Sequence, residues 1–145
     1  MTTELNTKAG LKQVEEMVFK GDLGSFKIDN LYIDERNVEK TEKIGTSPTK
    51  LLALSVLGCL AASFSFCLQK KNFTLSDLEG KAGVTISRNE KGFWRIKKID
   101  VEIIPKIDTP EMRKSADQCI KFFEQYCIVA ESLRNGFKVN VNLKY

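Results

Sequence analysis

The residues best able to do chemistry in this chain are four cysteines, Cys59, Cys67, Cys119 and Cys127. There is no histidine. A thiol activated by imidazole, the usual device of cysteine hydrolases and transferases, is thereby excluded, and imidazole metal sites go with it. Any catalysis must run on Cys, Arg, Lys or carboxylates. The cysteines form two equally spaced pairs, Cys59 with Cys67 and Cys119 with Cys127. Eight positions along a helix put two side chains on nearly one face but about 12 Å apart, at a rise of about 1.5 Å per residue. That is too far for a disulfide, whose Cα atoms stand roughly 4.4–6.8 Å apart, and too far for two ligands of one tetrahedral zinc. Any disulfide must join one helical segment to the other, and no metal is expected.

The surroundings of the four thiols differ. Cys59 lies in SVLGCLAAS, where Gly58, Ala61 and Ala62 leave room for another segment or a small substrate to approach. It sits well inside its helix, beyond the first-turn dipole, so a reactive thiolate there needs a neighbouring Arg or Lys. Cys127 lies in QYCIVAESLRNG, between the end of one helical run and the start of a short second one. Cys67 and Cys119 read as small buried hydrophobes, the commonest state of a free cysteine.

The elements that must position these thiols follow from local pattern. The chain of 145 residues is read as a single domain, residues 1–145, large enough to bury a core. Val14 to Lys20 and Ser25 to Ile33 read as strands about a turn at Gly21–Gly24, and the charge-dense stretch from Asp34 to Gly45 reads as a loop. Ser47 before Pro48 opens a helix that runs to about Lys70, since a hydroxyl caps and a proline loses nothing in the first turn. A hairpin of Glu79 to Arg88 and Phe93 to Ile104 turns at Asn89–Gly92. Thr109 before Pro110 opens a second helix, with Met112, Ala116, Cys119, Ile120, Phe123 and Cys127 as an apolar stripe. Asn135-Gly136 stops the helical region. Phe137, Val139, Val141 and Leu143 then alternate with polar residues as a half-buried strand. Strands in meanders with helices between them indicate α+β.

Composition removes further classes. The net charge of +4 comes from scattered lysines, and no nucleic-acid-binding pattern accompanies them, so no nucleic-acid partner is expected. Leu51 to Leu68 is apolar enough to be weighed as a membrane span. Ser55, Gly58, Ser63 and Ser65 within it, and Lys50, Lys70 and Lys71 around it, favour a helix buried in a protein core, with no membrane partner. The polar first ten residues contain no apolar signal region, which points to a reducing, cytoplasmic compartment.

Two segments resemble the OsmC-like/organic-hydroperoxide-resistance family. GTSPTKLLALSVLGCLAASFSFCL is similar to the family's central helix, opened by Asn/Ser-Pro with a cysteine eleven residues after the proline, a spacing that Pro48 and Cys59 keep. EQYCIVAESLRNGFKVNVNL resembles its second motif, a cysteine leading into a short helix, a Gly turn and a terminal strand. The middle hairpin, with Gly-Phe-Trp-Arg-Ile leading into Val-Glu-Ile, is similar too, and the likeness runs in order over about residues 14 to 145.

The resemblance implies an OsmC-like fold in which antiparallel sheets wrap around long central helices in an intertwined homodimer. It implies that Cys59 is the thiolate attacking a peroxide and that Cys127 resolves the resulting sulfenic acid as a disulfide. An organic hydroperoxide would be the substrate, with hydrogen peroxide as a second candidate, a dithiol of lipoyl or thioredoxin type the reductant, and no cofactor would be needed. Family members also carry an arginine that stabilises the thiolate and a glutamate that orients the arginine. Arg36, in the loop before the helix, is the candidate arginine. The glutamate's place, one or two residues after the proline, holds Thr49 and Lys50, so Glu35, Glu39 or Glu42 must replace it if anything does. Lys50 is an alternative cation, and Ile128 stands where a proline usually follows the second cysteine. These departures keep a second expectation open: a non-catalytic homologue that binds a small apolar ligand at its dimer interface.

Overall fold

A computed structural model describes residues 3–145. The chain divides into two compact units, residues 1–51 and 52–145. The first unit carries a three-stranded antiparallel sheet of β1 (Gly10–Glu15), β2 (Val18–Asp22) and β3 (Tyr32–Asp34), in that order across the sheet. The hairpin turn falls at Glu16-Met17 rather than at Gly21–Gly24 as the composition indicated. Met17 adopts the left-handed conformation (φ 62°) that a tight reversal requires. The Gly21–Gly24 stretch instead ends β2, where Asp22 Oδ1 accepts from the Gly24 amide at 2.8 Å. The charged stretch that follows is a loop, as expected, with one short 3-10 turn at Lys40–Glu42.

Helix α1 (Pro48–Lys70) begins in the first unit and forms the core of the second. Ser47 opens it as read: its Oγ accepts from the Lys50 amide at 3.2 Å, and its carbonyl from Leu51. Along α1, Ala53, Val56, Leu60, Ser63, Phe64, Cys67 and Leu68 are buried. Their steps of three and four mark one helix face turned into a protein core. Within the second unit α1 packs against the long antiparallel hairpin of β4 (Leu78–Arg88) and β5 (Trp94–Pro105), through Ile99, Val101 and Ile103. Gly80 of β4 permits the approach. A Cβ there would come within 2.7 Å of Leu57 Cδ1 and 3.1 Å of the Glu102 carbonyl oxygen.

Helix α2 (Pro110–Cys119) is capped by Thr109, whose Oγ1 accepts from the Met112 amide at 3.1 Å. The apolar stripe read through to Cys127 does not make one continuous helix. After Cys119 the chain tightens into a 3-10 turn at Phe123–Tyr126, and α3 (Ile128–Asn135) follows. Ile120, on the expected stripe, is exposed in consequence. Gly136 (φ 76°) ends α3, as the Asn-Gly pair indicated.

The terminal alternating segment is the largest departure. Phe137, Val139, Val141 and Leu143 pair with no strand and are all exposed, Val141 at 85%. Alternation supplies a strand with one apolar face, but a strand also needs an edge to bond to. Among the described residues, no sheet of this protomer offers one to this segment.

Candidate active site around Cys59 and Cys127

The second unit brings Cys59 and Cys127 together. Cys59, half-buried on α1, packs against the cluster formed by Val56, Leu60, Cys127 and Ala130, with Ile99, Val101 and Ile103 of β5 beneath it. Both thiols are free. Cys127 is fully buried at the junction between the 3-10 turn and α3, where its Sγ caps the helix by accepting from the Ala130 amide at 3.3 Å. A sulfur thus does the work usually given to Ser or Asp at this position. The short helix behind it is tied down by Arg134, which bonds both Glu131 on α3 and Glu124 on the 3-10 turn.

Burial pushes the Cys127 thiol above its ordinary range, and its hydrogen bond and charge interaction with Cys59 push the same way. The Ala130 and Val129 amides act against this without reversing it. The net direction favours the protonated thiol at Cys127. Two free thiols packed in one cluster, one half-buried and one fully buried, are a pair that can be oxidised in two steps and closed to a disulfide. Against the cluster that holds the pair lies an open cleft of about 770 Å³, which Val56, Leu60, Ile99, Val101, Phe123 and Ala130 help to line and which neither cysteine lines. It is wide, with an apolar wall and charged residues Lys97, Lys98, Asp100, Glu124 and Arg134 also lining it, and of a size that suits a small organic molecule.

Cys67 and Cys119, read as inert core residues, are buried as expected but are joined as a disulfide with Cα atoms 5.9 Å apart. The bond does run from one helix to the other, as the spacing required.

Arg36 belongs to the first unit, in the loop after β3. Its guanidinium grips Asp34 bidentately, with Nε to Oδ1 at 2.9 Å and Nη2 to Oδ2 at 2.7 Å, and Nη2 also donates to the Glu42 carbonyl at 3.0 Å. Asp34 is buried, and its carboxylate accepts in addition from the amides of Arg36 and Ile44. The hydrogen bonds from Arg36 hold the Asp34 carboxyl well below the ordinary carboxylate range, and Asp34 in turn raises the Arg36 guanidinium. The carboxylate that grips Arg36 is therefore Asp34 and not Glu35, Glu39 or Glu42. Glu42 contributes its backbone, and the Glu15 carboxylate stands 3.9 Å from Nη1. The signal was an aspartate two residues before the arginine at the end of an apolar strand, where a charged side chain must find a partner.

An α+β fold whose long central helix carries one half-buried thiol, met by a second thiol at the cap of a short C-terminal helix, defines a class of dithiol proteins. The model of the OsmC-like protein family matches residues 40–142, and this chain belongs to that family. Solved structures agree in fold. An OsmC-like protein from Mycoplasma pneumoniae superposes with a TM-score of 0.74 at 18% identity, covering 98% of each chain. The organic hydroperoxide resistance protein OhrB of Bacillus subtilis gives 0.66 at 18% identity, with 90% of this chain and 91% of that one covered. An organic hydroperoxide resistance protein from Legionella pneumophila gives 0.65 at 12%, with 92% of each covered. Among curated proteins no sequence match was found. The apolar helix Pro48–Lys70, long enough to cross a membrane, is in this setting the core helix of an OsmC-like fold.

Proposed function

We propose that this protein is a cytoplasmic thiol peroxidase for organic hydroperoxides, working as a homodimer of single OsmC-like domains. The observation that carries the reading is the meeting of two free thiols, Cys59 and Cys127, at the motif positions where the family places its reactive pair. The Cys59 thiolate attacks the terminal oxygen of the hydroperoxide, the O–O bond breaks, and the alcohol leaves after taking a proton. Cys59 is then a sulfenic acid. Cys127, once deprotonated, attacks its sulfur, water leaves, and a Cys59–Cys127 disulfide forms. An external dithiol of lipoyl or thioredoxin type restores both thiols and is itself oxidised to a disulfide. Arg36 is the cation assigned to the thiolate, and Asp34, by its two-point grip, acts as the positioning residue in place of the glutamate missing at Thr49 and Lys50. The apolar wall of the cleft, shared with the cluster that holds the pair, supports an organic hydroperoxide as substrate.

Two surfaces support the dimer. Leu54, Gly58, Ala62 and Phe66 form an exposed stripe along α1, unusual for a helix so apolar. The terminal alternating segment lacks a strand partner in its own protomer. A second copy would cover the first and pair with the second.

Consumption of cumene hydroperoxide, with a dithiol as reductant, tests the reading. Wild type turns over; Cys59→Ser does not; Cys127→Ser is oxidised once and stalls. Equal consumption by wild type and Cys59→Ser overturns it. Folded, reduced protein that consumes nothing above that control leaves the second reading, in which the same cleft holds a small apolar ligand without chemistry.

A further inference from the structure

The four cysteines stand as two rungs between two antiparallel runs of chain. One run is α1, carrying Cys59 and Cys67. The other is the path from the end of α2 through the 3-10 turn to the start of α3, carrying Cys119 and Cys127. The far rung, Cys67–Cys119, is a closed disulfide, while the near rung, Cys59 against Cys127, is a contact between free thiols.

The run between the rungs is stiff. From Cys119 onward, Ile120 donates to the Ala116 carbonyl, Phe122 to Cys119, Gln125 to Phe122, and Cys127 to Glu124. Phe123, midway, packs on both the Phe64–Leu68–Cys119 cluster and the Val56–Leu60–Cys127 cluster, with its ring set edge-on to Phe64 at 5.4 Å. Beyond Phe123 the seam is held by few polar contacts. Lys71 Nζ donates to Gln118 Oε1 at 2.9 Å, and Lys70 lies over the Phe66 and Tyr126 rings. The bond at Cys119 therefore sets where Cys127 lies along α1.

We propose that Cys67 and Cys119 are a redox-operated clamp that sets the approach of Cys127 to Cys59. Closing the clamp transfers two electrons and two protons from the two thiols to a small disulfide, which leaves as two thiols. Opening reverses this. An external thiolate attacks Cys67, the less deeply buried residue of the two, and Cys119 leaves as thiolate. A dithiol then completes the reduction by closing its own ring. With the clamp closed, Cys127 is held at Cys59 and the near rung closes quickly. With it open, the run from Ile120 to Tyr126 keeps the packing of Phe123 and the Lys70 and Lys71 contacts but loses its covalent tie to α1, and Cys59, once oxidised, waits longer for its partner.

The test uses the wild-type chain and no peroxide, so a failed peroxidase assay leaves its outcome intact. Fully reduced protein is reoxidised with glutathione disulfide, quenched in acid at intervals, alkylated and mapped by mass spectrometry. Molecules that already hold Cys67–Cys119 are expected to form Cys59–Cys127 about tenfold faster than molecules that do not, as pre-organisation of a reacting pair provides. A folded Cys67→Ala/Cys119→Ala variant is expected to show only the slower rate. The proposal is overturned if the near rung closes at one rate whatever the state of the far rung. It is equally overturned if no species with Cys67–Cys119 alone accumulates.

Discussion

Opening the Cys67–Cys119 disulfide should lower stability by an amount that the loop it closes allows to be worked out. The two cysteines are 52 residues apart. Cross-linking ends at that separation removes roughly 14 cal/mol/K of chain entropy from the unfolded state, about 4 kcal/mol at 25 °C. With a urea slope of about 1.5 kcal/mol per molar, the unfolding midpoint should fall by about 2.5–3 M. The cleanest background is Cys59→Ala with Cys127→Ser, where serine can keep the cap on Ala130 and only the far pair remains able to change. Oxidised and dithiol-reduced samples of this one variant differ by the S–S bond and nothing else. They are to be unfolded in urea at one protein concentration, so that any dimer contributes equally to both. A difference below about 1 kcal/mol, with the bond verified by mass, would refute the reasoning. It would mean that the 52-residue loop is already constrained in the unfolded chain, or that native strain at the bridge cancels the gain.

Asp34 and Arg36 give an acid-range prediction. The Asp34 carboxyl is held below its unfolded value, so its contribution is fully present above the ordinary aspartate range and is lost progressively as pH falls below that range towards the lower folded value. Amide exchange in β2 and β3 should accelerate there, whereas Asp34→Asn should remove this pH dependence and lower peroxide turnover; a variant with the wild-type acid profile would sink the assignment. Cys127 gives the opposite sign. Its thiol is pushed up, and the thiolate is the species that attacks, so closure of Cys59–Cys127 should quicken with rising pH into the range above an ordinary cysteine. A rate flat across neutral and alkaline pH, followed by quenched mass analysis, would contradict this. For the proposed dimer, Leu54→Glu with Phe66→Glu should give monomer in sedimentation where wild type gives dimer, and an unchanged mass would remove the α1 stripe from the interface.

Helix boundaries were legible because each has a local cause. Ser47-Pro48, Thr109-Pro110 and Asn135-Gly136 act through their own backbone and one hydroxyl, and they stop and start helices where expected. The hairpin turn at Met17 was not legible, because a methionine at positive φ has no compositional mark and a glycine-rich stretch stood a few residues away. Nor was the end of α2. The stripe from Met112 to Cys127 keeps helical spacing, but the chain leaves the helix at Cys119 because the contact with α1, and not the spacing, decides the path there. The contexts of Cys59 and Cys127 set them apart, and the fold packs them into one cluster. Asp34 was missed because three nearby glutamates had equal claim on Arg36, and burial, which alone separates them, is not written in the loop's composition.

The equal spacing of the two cysteine pairs carries more than the resemblance did. Two runs with thiols eight positions apart can be cross-matched in two ways, and direction decides between them. Antiparallel runs set Cys67 against Cys119 and Cys59 against Cys127, while parallel runs would exchange the partners. The return path begins at the C-terminal end of α2, beside the C-terminal end of α1, and reaches Cys127 one 3-10 turn later beside Cys59. Along α1 the two thiols are about 12 Å apart, and the second run covers that distance in the same number of residues only because it is itself helical or nearly so. An insertion or deletion of one residue between Cys119 and Cys127 would rotate Cys127 off Cys59 while leaving the far disulfide intact. Deleting Lys121, exposed and outside both clusters, should therefore preserve Cys67–Cys119 and abolish closure of the near pair. If both disulfides still form in that variant, the run is too pliant for one rung to govern the other, and the two pairs act independently.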